Sequence, residues 1–299
     1  MGLTDGQLHF LGALPRVDGR PAADDLGDGV RHLVQTVQAG WQGRPPAPPV
    51  RMLPDLLPHT SLPTVAETGK RIPIGIDEDT LSPVLLDFEH DPHFVVLGDN
   101  ECGKSNLLRL IVESIKARYT TAEARIIMLD YRRALLDSAE SEHVIGFAAS
   151  STAAAGLMKD VHGALVNRLP PSDLTPEQLR NRSWWSGSEL FLVVDDYDLV
   201  ATPSGNPLAQ LAELLPQARD IGMHVILSRT MGGAGRAMFD PVLQRLKDMA
   251  SPALIMSGNK DEGNLFDVRP GPLPPGRGTH SDRRTGKRLI QTAGFGLQQ

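Results

Sequence analysis

Apolar residues recur along this chain in two rhythms. Short unbroken runs come first: Phe94-Val95-Val96-Leu97, Ile126-Ile127-Met128-Leu129, Leu190-Phe191-Leu192-Val193-Val194, Val225-Ile226-Leu227 and Ala253-Leu254-Ile255-Met256. Runs of this length without polar interruption predict strands buried on both faces. Between them the spacing widens to three and four. Leu107, Leu108, Ile111 and Ile115 predict a helix over 106–118, and Leu157, Val161, Leu165 and Leu169 a helix over 153–169. Further helices are expected over 207–219 and, capped by Asp240-Pro241, through about Met249. Thr175-Pro176-Glu177-Gln178 reads as a capping box with proline in the first helical position. Residues 72–77 and 82–88 predict a small hairpin, 144–147 a further strand, and Arg288-Leu289-Ile290-Gln291 an edge strand near the end. The alternation implies an α/β fold, with a mostly parallel central sheet flanked by helices.

The first part of the chain reads differently. Leu8-His9-Phe10-Leu11 suggests a short strand. Asp24 or Asp25 is positioned to cap a helix to about Trp41, with Leu26, Val30, Leu33, Val37 and Trp41 on one stripe. A stiff proline-rich linker follows at 44–50. Residues 1–65 are therefore expected to be an N-terminal extension and linker packed on a main domain at 66–299, because they contain too little core to stand alone.

One octapeptide brings the chemistry into focus. Gly98-Asp99-Asn100-Glu101-Cys102-Gly103-Lys104-Ser105 fits G-x-x-x-x-G-K-[ST], and it lies between a predicted strand and a predicted helix, as a phosphate-binding loop requires. The glycines let consecutive amides turn inward toward phosphate oxygens, and the helix start adds partial positive charge. Lys104 is expected to reach the β- and γ-phosphates of ATP, Ser105 to ligate Mg²⁺, and Asn106 to complete the nucleotide-binding set. The run ending in Asp195-Asp196 supplies the acidic strand such sites use: Asp195 for the Mg²⁺ shell, Asp196 beside the attacking water. Ser228, at the polar end of the 224–228 strand, falls where a γ-phosphate sensor would sit.

Composition narrows the alternatives. A formal net charge of −6 argues against a protein held on DNA by charge. The one cysteine, Cys102, excludes an internal disulfide and reads as a small residue in a tight loop. No apolar run approaches the roughly 20 residues of a membrane span, and the start lacks a basic-then-apolar leader, so a cytoplasmic location is expected. Glu101 is expected to point outward. Trp184-Trp185 suits either a surface that receives a partner helix or a core or lid role. Arg229, Arg236, Arg245 and Arg277 are arginine-finger candidates. The nine histidines show no metal-ligand spacing.

Taken together, Ile74-Gly75-Ile76-Asp77-Glu78, the phosphate loop with its helix, and 191–196 resemble the FtsK/SpoIIIE branch of hexameric motor ATPases. The stretch 236–278, with Pro241-Val242-Leu243-Gln244-Arg245-Leu246 and Pro274-Pro275-Gly276-Arg277-Gly278, narrows the resemblance to the EccC ATPase domains of type VII (ESX) secretion, most of all the C-terminal one. The resemblance implies a RecA-like P-loop NTPase, a cytosolic module of a longer membrane-anchored protein. It also implies helical WXG100 (EsxA/EsxB-like) secretion substrates and other ATPase domains of the same motor as partners, assembly of the full motor as a hexamer, and Arg277 as a nucleotide-proximal finger. Two departures stand out. Translocases of this branch carry Glu after the Walker B Asp, where this chain has the shorter Asp196. Related DNA translocases read Ala-Thr-Gln where this chain reads Ser228-Arg229-Thr230. ATP binding with slow hydrolysis is therefore expected, with a fully active translocating ATPase or a DNA translocase as the alternatives.

Overall fold

The computed structural model describes residues 16–43 and 51–295, together with Leu14, Pro45 and two short strands near the start. The chain divides into two compact units, Met1–Val50 and Arg51–Gln299. In the first, β1 (Gly2–Leu3) pairs antiparallel with β2 (His9–Phe10), and α1 spans Leu26–Gly40. Asp25 is its N-cap but gives no side-chain bond to the helix, because Arg16 takes its carboxylate along with that of Asp18. The expected stripe stays largely open, with Leu26, Val30 and Leu33 half-buried and Val37 exposed. Apart from Pro45, the proline-rich linker at 44–50 lies outside the described residues, as do Leu8 and Leu11.

The second unit opens with α2 (Val65–Thr68), whose Thr64 and Glu67 form a capping box. Next come β3 (Ile72–Asp77), β4 (Pro83–Leu86), β5 (His93–Gly98) and α3 (Lys104–Arg118). They are followed by β6 (Ala124–Asp130), α4 (Leu136–Ala139), β7 (Val144–Ala148), α5 (Ser151–Val166) and α6 (Pro176–Asn181). Then come β8 (Glu189–Asp195), α7 (Tyr197–Val200), α8 (Ala218–Ile221), β9 (Met223–Thr230), α9 (Ala234–Ala237) and α10 (Pro241–Asp248). The chain ends on β10 (Ala253–Ile255), β11 (Arg277–Asp282) and β12 (Gly286–Thr292).

Ten of these strands form one sheet in the order β4-β3-β12-β11-β10-β5-β9-β8-β6-β7. From β10 to β7 every pairing is parallel; from β10 to β4 every pairing is antiparallel. The parallel half is the part the apolar runs predict. Its inner strands are covered on both faces: Val95 and Leu97 join a core with α5 and α10, while Phe94 and Val96 join one with α3.

Two expectations are corrected. Residues 288–291 are not an edge strand. β12 lies inside the sheet between β11 and β3, and the edges are β4 and β7. β3 and β4 lie outside it, and its inner neighbour β11 is hidden by a polar sequence; Asp282 turns β11 into β12 by accepting the Arg284 and Thr285 amides. Residues 207–219 are not one helix. They form two 3-10 segments, Ala209–Leu211 and Leu215–Gln217, before α8, because Pro216 has no amide hydrogen for a continuous helix and starts a new turn instead. Residues 53–62 belong to the second unit: Leu57 and Leu62 are in its core, and the His59 amide donates to the Gly294 carbonyl. Among the described residues no helix is long and apolar enough to cross a membrane.

Candidate nucleotide-binding site

The central strand β5 is fully buried and ends at Gly98, where the chain must turn back onto α3 at once. No side chain fits there, since a Cβ on Gly98 would lie 2.5 Å from Cys102 Sγ and 2.8 Å from Met256 Cβ. At the other end of the turn Gly103 has φ +108°, in the left-handed region, and serves as N-cap of α3. The Gly276 amide donates to the Cys102 carbonyl and braces the turn from the C-terminal tail. Cys102 itself is buried against Met256, with sulfur atoms 3.7 Å apart, and burial pushes its thiol pKa up. It fills space in the loop. Glu101 is exposed, also with positive φ, at the rim of the turn.

Lys104 curls back over the turn. Its buried Nζ donates to the Gly98 carbonyl at 3.0 Å and the Asp99 carbonyl at 2.9 Å. Ser105 Oγ donates to Asp195 Oδ2 at 2.6 Å. The sheet order explains the rest: β9 lies between β5 and β8, so Ser228 sits beside the β8 carboxylates. Ser228 Oγ donates to Asp195 Oδ1 at 2.5 Å and accepts the Asp196 amide at 2.9 Å. Asp195 thus has one hydroxyl on each oxygen.

Asp196 begins α7 with φ +48°. Its carboxylate is flanked by Arg132 Nε at 3.0 Å and Lys104 Nζ at 4.0 Å. Its pKa is raised, first by burial and then by the neighbouring charge of Asp195, against the pull of the two cations. Asn100, Glu101, Gly103–Asn106, Arg132 and Asp196 line a cleft of about 380 Å³. A larger hollow of about 740 Å³, between Tyr131, Ser151 and Asn206, has no charged side chain in its wall, so the smaller cleft is the one whose charges suit phosphate.

Not every expected residue reaches the cleft. Asn106 does, and also ties down the tail, donating to the Ala293 carbonyl and accepting the Phe295 amide. Arg277 does not line it: Nε donates to Gln291 at 3.1 Å, and a terminal nitrogen to the Leu53 and Pro54 carbonyls. Arg229 is buried and donates to the Thr230 and Gly232 carbonyls. Trp184 and Trp185 are half-buried anchors, their indole N–H groups donating to the Arg168 and Asp220 carbonyls. Arg132 is the residue that sequence reasoning missed. Its one signal is its place just after Asp130, the acid that ends a predicted strand.

Residues 64–231, which hold every residue of the cleft, match the FtsK/SpoIIIE family profile. The chain belongs to the FtsK/SpoIIIE family. This FtsK/SpoIIIE domain is 64% identical over 293 residues to the ESX secretion system protein EccC of Thermomonospora curvata, a match covering 98% of this chain and 22% of that protein. It superposes on the solved cytoplasmic domain of that type VII secretion ATPase with a TM-score of 0.87, covering 98% of this chain and 34% of the other. It also superposes on T. curvata EccC (ATPases 2 and 3) in complex with a signal sequence peptide, at 64% identity and a TM-score of 0.88, over 98% of this chain and 53% of that one. The chain therefore spans about a fifth of its curated relative and corresponds to an ATPase domain of EccC type, of a family whose P-loop binds nucleotide.

The residues of this FtsK/SpoIIIE domain suit a triphosphate and a hard divalent cation. Backbone amides at the start of α3, opened by two glycines, fit phosphate oxygens. The Ser105 hydroxyl and the Asp195 carboxylate are oxygen donors of the kind Mg²⁺ prefers, and two protein ligands leave room for the waters it keeps. Among the described residues no group of three or more His, Cys, Asp or Glu is placed to hold a softer metal.

Proposed function

We propose that this domain binds ATP with Mg²⁺ and hydrolyses it slowly, as a substrate-recognising or regulatory ATPase domain of a type VII secretion motor. The observation that carries the nucleotide reading is Asp195, held from two sides by Ser105 and Ser228 beside the phosphate loop. Ser105 and Asp195 would hold Mg²⁺, which when bound screens phosphate charge. Lys104 would trade its two carbonyl partners for phosphate oxygens, a stronger, charge-assisted bond.

Slow turnover follows from Asp196. It stands where a water-orienting carboxylate is needed, yet it is one methylene shorter than Glu and is drawn sideways into an ion pair with Arg132. A displacement of about 1 Å from the productive position costs on the order of 10²-fold in rate. Steady-state ATPase assays on Asp196→Glu test this, with Lys104→Ala as the background. The expected result is a kcat raised by about tenfold, dependent on Lys104. An unchanged or lower kcat in Asp196→Glu would sink the slow-hydrolysis reading, and fast Lys104-dependent turnover by the unmodified chain would establish a competent translocating ATPase instead.

The likeness to an EccC structure holding a signal sequence peptide supports WXG100-type substrates, with other ATPase domains of the same motor as neighbours in a hexamer. A cytoplasmic place at the inner membrane fits the same likeness. Binding of a helical C-terminal signal peptide, measured by fluorescence anisotropy against a scrambled control, tests the substrate class.

A further inference from the structure

Arg132 lines the cleft and has no role in the reading above except as the partner of Asp196. It lies two residues beyond the end of β6, and β6 pairs directly with β8. The turn that carries it is held from two sides. The Leu135 amide donates to the buried Asp130 carboxylate at 2.7 Å, and Arg109 of α3 donates to the Ala134 carbonyl at 2.6 Å. The turn is thereby tied to the helix that starts at Lys104. What is free to move is the Arg132 side chain.

Two cations share one carboxylate, Arg132 on Asp196 Oδ2 and Lys104 on Oδ1. Their surroundings differ. Lys104 is buried and already bound to two carbonyls. The Arg132 side chain is 54% exposed, and among the described residues Asp196 is its sole partner. A half-exposed ion pair is weak enough to exchange partners. The two terminal guanidinium nitrogens form a planar fork that matches phosphate oxygens, which a bare carboxylate contact through Nε leaves unused. Because both cations reach one carboxylate, a terminal phosphate within reach of Lys104 is within reach of this fork.

We propose that Arg132 is a terminal-phosphate contact held in reserve by Asp196. With a triphosphate in the cleft the guanidinium leaves Asp196 for the γ-phosphate; with a diphosphate it stays where it is. This rests on the nucleotide reading above and adds to it the group that tells ATP from ADP. The same movement takes a cation away from Asp196, so that the carboxylate is released toward the cleft only when the third phosphate is present.

Titration calorimetry of the whole chain with ATP and with ADP, both with Mg²⁺, tests the proposal. Arg132→Ala should weaken ATP binding by about 10- to 100-fold, the range of a lost charge-assisted hydrogen bond. It should change ADP binding by no more than about twofold, because in the diphosphate complex the guanidinium stays on Asp196 and touches no phosphate. Arg132→Lys, which keeps the charge without the fork, should fall between wild type and alanine. Asp196→Asn should tighten ATP binding in the wild-type background, and that gain should largely vanish in Arg132→Ala. Equal losses for both nucleotides, or an Asp196→Asn gain unaltered by Arg132→Ala, would overturn the proposal. If the unmodified chain binds ATP and Arg132→Ala binds it equally well, only this inference fails. If the unmodified chain binds neither nucleotide, the reading beneath it fails as well. Arg132 packs in no core, so the wild-type urea midpoint is expected for Arg132→Ala and Arg132→Lys, and a midpoint measured for Asp196→Asn keeps that comparison between folded proteins.

Discussion

Ser228 does two jobs with one fully buried hydroxyl, donating to Asp195 and accepting the Asp196 amide. Alanine at this position would leave a buried N–H without a partner and free one oxygen of Asp195. Ser228→Ala should therefore destabilise the domain by about 1–3 kcal/mol, the usual penalty for an orphaned buried donor, seen as a lower urea midpoint. It should also weaken the Mg²⁺ dependence of ATP binding; a variant as stable as wild type would show that the hydroxyl is dispensable. The phosphate loop could be read from the sequence because its chemistry is local: glycines at two fixed positions, then Lys104 and Ser105. Ser228 was readable as the polar end of a strand. Its actual bonds were not, because they depend on which strand lies beside β8. Arg132 was still less visible, since its partner comes from another strand and no spacing rule connects them.

At the level of elements, the parallel strands were plain from their apolar runs and the antiparallel ones were not. β11, Arg277–Asp282, has glycine, serine and charged residues where a buried strand would show Val or Ile, yet it is paired on both sides. Backbone pairing on both sides holds it in place. Gly75 on β3 is the matching feature on the far side of β12. A Cβ there would lie 2.1 Å from the Gln291 carbonyl oxygen, where only hydrogen leaves room for the two backbones to pair. Gly75→Ala should push β3 off β12 and cost about 1–3 kcal/mol, as overpacking does. Chemical denaturation measures the loss, and ATP affinity in the remaining folded protein should hold, because β5 and β8 are not touched. The broken helix at 207–219 carries the same lesson from the other side. One helix is expected there, but one missing amide at Pro216 divides it.

For the whole molecule, two buried histidines set a pH dependence. His93, on the central strand, accepts the Val225 amide on Nδ1, so Nε2 carries the hydrogen that faces the Leu215 carbonyl. Burial lowers its pKa to about 3. His280 on β11 is buried with neither ring nitrogen bonded, and burial lowers it to about 4. Unfolded histidine takes up a proton near pH 6.5, whereas these native sites refuse it until far lower pH. The unfolded chain therefore binds more protons between pH 6.5 and about 4, and stability falls as pH falls through that window. Urea midpoints at pH 7, 6 and 5 should decline in order, and His280→Leu should flatten the decline. A midpoint independent of pH would contradict the burial argument.

The sequence by itself determined the class of fold, the glycine loop that opens α3 and the acids that face it. Each of these is fixed by short-range chemistry: the period of apolar residues, the freedom of glycine, a lysine and a serine at the start of a helix. Only the tertiary structure decided that β9 inserts between β5 and β8, that the tail closes the sheet from inside rather than at its edge, and that Arg132 meets Asp196. Those outcomes depend on which strands become neighbours. Neighbours in a sheet are chosen by the packing of distant segments, which no local pattern records.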